Sequence, residues 1–174
     1  MGMGVLSCRG VELESEFPFG AATRLLGPAL DRLGPQERRR ALSGFAANAA
    51  DLFHPGTTEV PLEGPGHERS VVRSLRQLTV NLTLSRALHP HPSTVVILDD
   101  AQWSDTASLR FLAHLGTDIT RLPIFVVAAC EPGSGDARAV LRQMLAASPG
   151  ARRLRLARLS LEGVACTVRL SYSR

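Results

Sequence analysis

The stretch VVILDDAQWSD (residues 95–105) decides how the rest of the chain is read. Four β-favouring apolar residues run straight into two adjacent aspartates, Asp99 and Asp100, followed by a tryptophan and a third aspartate. An uninterrupted apolar run of this length predicts a strand buried in a parallel sheet. Such a strand delivers its carboxyl end to the crevice where open α/β sheets bind ligands. Two carboxylates there repel each other, and burial raises the pKa of at least one unless a cation neutralises the pair. Mg2+ meets that need, because it takes one or two protein carboxylates and completes its shell with water and phosphate oxygens. The plainer alternative is a strand that ends in two turn- or helix-capping aspartates.

Working outward, Asp105 or Ser104 can cap a helix over 106–116, whose Leu109, Leu112 and Leu115 form an apolar stripe. A second apolar run, 124–129, predicts a strand buried on both faces. The turn EPGSGD follows, then a helix over 137–147. Residues 152–159 alternate arginine with leucine or alanine, the pattern of an edge strand with one basic face. A last helix is expected over 160–170. Upstream, 5–8 reads as a short buried strand. A helix over 21–33 follows the FPFG turn, with Pro28 marking a kink or a late start. A second helix covers 35–53, residues 54–66 form a loop, and a long amphipathic helix covers 68–88. Strands separated by helices at this spacing imply a parallel α/β sheet.

Composition narrows the class. The chain has 174 residues, 44% hydrophobic and 21% charged, enough for one domain with a real core. No apolar run approaches the ~18 residues needed to span a bilayer, and MGMGVLSCRG has no basic leader, so a cytoplasmic protein is expected. Cys8, Cys130 and Cys166 fit neither a zinc spacing nor a disulfide framework. His89 and His91 lie in HPHP, where proline breaks any helix that could hold both on one face. The net charge is +4, and all twenty basic residues are arginines, because the chain contains no lysine. Arg152, Arg153, Arg155 and Arg158 have neither helical spacing nor aromatic partners, so a solvated strand is preferred to a nucleic-acid surface.

Apolar residues followed by two aspartates are what a Walker B strand needs. Asp99 would hold Mg2+, directly or through water, and Asp100 would orient or deprotonate the attacking water. The residues around them resemble a known family: the ATPase module of large LuxR-type, MalT-like bacterial regulators, which are signal-transduction ATPases with numerous domains. The resemblance is carried by VVILDDAQWSDTASLRFLAHL (95–115) and by VLSCRGVELESEFPFGAATRLLGPAL (5–30). It extends through SVVRSLRQLTVNL (70–82), LPIFVVAACEPG (122–133) and LRLARLSLEGVACTVR (154–169). It implies ATP and Mg2+ as cofactors. It also implies a partial NTPase core over 1–159, with a helical insert at about 20–90, a Walker B strand at 95–99 and a sensor strand at 124–129. Residues 160–174 would then begin a following helical region.

Two departures shape the expected function. The family's Walker A loop, GxxGxGK[ST], should precede residue 5, and without lysine no GK[ST] exists in these residues. Cys130 stands where the family has a sensor arginine, and a thiol cannot contact a γ-phosphate as a guanidinium does. The P-loop supplies the main phosphate nest, so ATP hydrolysis by this chain alone is not expected. The expected fold is therefore an incomplete P-loop NTPase-like parallel sheet flanked by helices, with first strand and P-loop absent. The chain reads as a fragment of a larger regulator, without its helix-turn-helix, and no direct DNA binding is expected. A misplaced start codon, a gene remnant and a nucleotide-free interaction module remain open. The last would pair with an intact relative or a second copy through an open sheet edge. Trp103 is expected to pack against the helix that follows it.

Overall fold

The computed structural model describes residues 3–54, 64–85, 88, 92–117, 121–131 and 150–158, with positions 139, 140, 143, 146, 160 and 165. Three strands form one parallel sheet: β1 (Gly4–Arg9), β2 (Thr94–Asp99) and β3 (Ile124–Ala128), in the order β1-β2-β3. The register aligns Val5 with Val95 and Phe125, and Leu6 with Val96 and Val126. Between β1 and β2 lie α1 (Gly20–Asp31), α2 (Pro35–Ala41), a 3-10 segment (Gly44–Phe53) and α3 (Gly64–Leu84). Helix α4 (Thr106–Thr117) joins β2 to β3.

The core forms where the helices cover one face of this sheet. Leu6, Val96, Leu98 and Ile124 join Leu25, Leu26 and Leu30 of α1, Leu75, Leu78 and Leu82 of α3, and Leu109, Phe111 and Leu115 of α4 in one cluster. Side chains alternate across a strand, so the neighbouring residues point the other way. There Val5 is 54% exposed, Phe125 64% and Val127 40%. This corrects the expectation that 124–129 and 5–8 are buried strands. Their apolar runs are continuous, but among the described residues helices cover a single face.

Further corrections concern element ends. The helix expected over 35–53 is two pieces, because Ser43 Oγ donates to Arg40 O at 2.7 Å and Gly44 adopts φ +63, a left-handed turn that glycine takes without strain. Helix α1 runs through Pro28 without stopping. The residue before a proline resists helical geometry chiefly through its Cβ, and here that residue is Gly27, which has none. Helix α3 ends at Leu84, short of the expected 88. Residues 151–158 carry no strand, and Leu154 and Leu156 are exposed, as is Arg155 between them. Alternation alone does not make a strand when no partner edge or core receives its apolar side. The helices expected over 137–147 and 160–170, most of the loop over 54–66, the histidines of HPHP and Cys166 lie wholly or largely outside the described residues.

Candidate functional site

Because the strands are parallel, their carboxyl ends share one rim, where Arg9 of β1 sits in register beside Asp99 of β2. The chain turns sharply after β2. Asp100 adopts φ 46 and ψ 46, a left-handed conformation that aspartate tolerates better than most residues. A 3-10 turn (Ala101–Trp103) follows. It is fastened to β3 by Ala101 N–H donating to Ala129 O at 2.8 Å, while Ala129 N–H donates to Leu98 O at 2.9 Å. On the other side Gly10 N–H donates to Asp99 O at 2.8 Å. A Cβ on Gly10 would lie 2.2 Å from Asp100 O. Only glycine permits this approach of β1 to the turn.

Asp99 is exposed on this rim, and its Oδ1 accepts the N–H of Asp100 at 3.0 Å. Asp100 is held from two sides. Its Oδ2 accepts from Arg9 Nε at 2.5 Å, and its Oδ1 accepts from Gln102 Nε2 at 3.3 Å. Gln102 in turn accepts, through Oε1, the N–H of Glu131 beyond β3 at 3.2 Å. A line of hydrogen bonds thus crosses all three strand ends. The hydrogen bond to Asp100, then the charge of Asp100 and, more weakly, that of Asp99 push the Arg9 guanidinium pKa up, against a small opposing effect of burial. Arg9 is therefore a positive partner of Asp100 within this chain. The pairing spans 91 residues of sequence, so no local pattern announces it. An arginine closing the strand just before a glycine is the one signal that could have found it.

Asp105, the third aspartate of the stretch, has a different task. It is 3% exposed. Its Oδ1 accepts from Phe19 N and Ser108 N, both at 2.8 Å, and its Oδ2 from Ala21 N at 3.1 Å. One carboxylate thereby caps the amino ends of both α1 and α4, where main-chain donors and helix dipoles favour negative charge. Ser108 Oγ adds a bond from Ala22 N at 2.9 Å. The capping role expected of Asp105 or Ser104 belongs to Asp105, and Ser104 Oγ is buried without a partner. Phe19, held at φ 63 and fully buried, owes its left-handed backbone to this anchoring.

The remaining candidates disperse. Cys130 is exposed beyond β3, whereas Cys8 is half-buried beneath α1. Burial pushes the Cys8 thiol up to about 11. Trp103 is 37% exposed. A groove lined by Ser15, Glu16, Glu68, Asp105, Thr106 and Arg110 lies at the start of α4 and includes neither Asp99 nor Asp100. The aspartate pair thus stands on an open rim. Among the described residues, no three His, Cys, Asp or Glu side chains gather as a metal site. The donor set fits Mg2+ all the same, since Asp99 is an exposed carboxylate with one oxygen on its neighbour's N–H, and this ion fills most of its shell with water and phosphate.

A parallel sheet flanked by helices, with its polar side chains gathered at the carboxyl rim, defines a partial P-loop NTPase-like α/β fold. The chain belongs to the AAA ATPase domain family, whose family model matches residues 2–127. No curated protein and no solved structure matches it. Among the described residues, no helix is long and apolar enough to cross a membrane.

Proposed function

We propose that this chain is the Walker B part of an ATP-binding module in a LuxR-type signal-transducing transcriptional regulator. The observation that carries the reading is the placement of Asp99 and Asp100 at the carboxyl end of the central strand, with Asp99 open to solvent. Asp99 is the residue to hold Mg2+, which would neutralise phosphate charge when bound. Asp100, fixed by Arg9 and Gln102, is the residue to orient or deprotonate an attacking water. The LuxR assignment rests on the resemblance of residues 95–115. These 174 residues contain no lysine, so we infer that they do not hydrolyse ATP by themselves.

A second reading is a nucleotide-free interaction module, joined to an intact relative or a second copy. It is favoured by the exposed Phe125 and Val127 on a strand that, among the described residues, pairs on one side only. Titration calorimetry with Mg2+-ATP separates the two. Measurable affinity that falls about tenfold or more in Asp99→Asn is the expected outcome for the first reading. No heat with any nucleotide, together with concentration-dependent association, would leave the second.

A further inference from the structure

A line of hydrogen bonds runs across the carboxyl rim from Arg9 through Asp100 and Gln102 to the main chain of Glu131. We propose that Arg9 and Gln102 are positioning residues that clamp the two carboxylate oxygens of Asp100, and that Gln102 passes the position of the chain beyond β3 to that carboxylate. This rests on the Walker B reading given above.

Three features single out the clamp. First, each carboxylate oxygen has its own donor, so neither rotation about the side chain nor sliding of the turn is free: Arg9 comes from β1 and Gln102 from the turn itself. Second, Gln102 uses both ends of its amide, donating to Asp100 and accepting from Glu131 N–H. Moving the chain beyond β3 therefore moves the donor that Asp100 depends on. Third, the main chain fixes the turn on both sides, through Gly10 N to Asp99 O and Ala101 N to Ala129 O. Glu131 lies two residues beyond Ala129, so the side-chain line reaches past the part that these main-chain bonds hold. A base that must orient water is useful only in one geometry, and a bond to each oxygen supplies that geometry before any ligand arrives. Residue 130, directly before Glu131, is the place where a sensor side chain is expected by resemblance. In this chain the message from that place would travel through the main chain and Gln102 rather than through Cys130.

The test uses the arginine itself. Arginine Nε–H protons exchange quickly with water unless hydrogen-bonded, so in nitrogen-15-labelled protein Arg9 should give a slowly exchanging Nε–H resonance, identified by its loss in Arg9→Lys. Gln102 and Arg9 bond to different oxygens of Asp100, yet Gln102→Met should displace that resonance, because Asp100 loses one of its two anchors. Gln102→Glu, which keeps the acceptor for Glu131 N–H but not the donor to Asp100, should displace it as well, and serves if the methionine variant does not fold. Asp100→Ala alone should abolish the slow exchange of Arg9 Nε–H, and adding Gln102→Met to it should change the Arg9 signal no further, because the carboxylate that links the two residues is gone. An Arg9 resonance unmoved in both Gln102 variants overturns the proposal, as does an equal effect of Gln102→Met with and without the Asp100 carboxylate. If instead Asp99→Asn binds Mg2+-ATP like the native chain, the Walker B reading fails, and the Arg9 resonance still judges the clamp.

Discussion

Asp105 accepts three main-chain N–H groups from the starts of two helices that are more than eighty residues apart. Asp105→Ala would leave those buried donors unpaired, so a loss of roughly 3–5 kcal/mol is expected by urea denaturation at pH 7. Asp105→Asn keeps one acceptor oxygen and should lose less. A change below about 1 kcal/mol in the alanine variant would mean that water or neighbouring groups replace the carboxylate. Cys8 offers a pH test. Burial chiefly, with Asp105 adding and Arg24 opposing, raises its pKa from 9.0 to about 11. The folded value exceeds the unfolded one, so this group's contribution to stability is full below pH 9 and declines as pH rises toward 11. Brief iodoacetamide treatment of native protein at pH 8 should label exposed Cys130 and spare Cys8, whose labelling should appear only as pH nears 11. Peptide mass mapping reads both.

At the scale of elements, the carboxyl end of β2 depends on a neighbour that has no side chain. Gly10→Ala would drive a methyl group into Asp100 O, and the turn Ala101–Trp103 would have to move. A stability loss of about 1–3 kcal/mol is expected, with a shift in the emission of Trp103, the sole tryptophan. An unchanged spectrum would show that β1, not the turn, gives way. The elements themselves were largely legible. The strand at 95–99, the helix after Asp105 and the long amphipathic helix are found where periodicity puts them, because each has a repeating apolar face that only one geometry buries. Their ends were less so. The break at Leu42–Gly44 depends on a serine hydroxyl and a glycine dihedral, signals a single residue long.

For the whole molecule, helices cover one side of the sheet among the described residues. Phe111 is fully buried among the helices, while Phe125 stands on the uncovered face at 64% exposure. Phe111→Ala should cost about 3–5 kcal/mol. Phe125→Ser should change stability by less than about 1 kcal/mol and reduce any concentration-dependent association seen by sedimentation. If Phe125→Ser instead destabilised as strongly as Phe111→Ala, the face would be covered in solution. The edge strand expected over residues 152–159 is not found over 152–158 for a related reason. Alternation describes what a strand could bury, and whether an edge is there to receive it is settled elsewhere in the chain.

By itself the sequence determined the class of fold, the order of its elements and the rim on which Asp99 and Asp100 stand, since these follow from local periodicity and from the direction of a parallel strand. Tertiary structure alone decided what each aspartate touches. Asp99 faces water, Asp100 meets Arg9 from the far end of the sequence, and Asp105 ties together two helix starts. Three chemically identical side chains within seven residues acquire three roles because partners are chosen by proximity in space, and proximity across ninety residues leaves no trace in the spacing of a single strand.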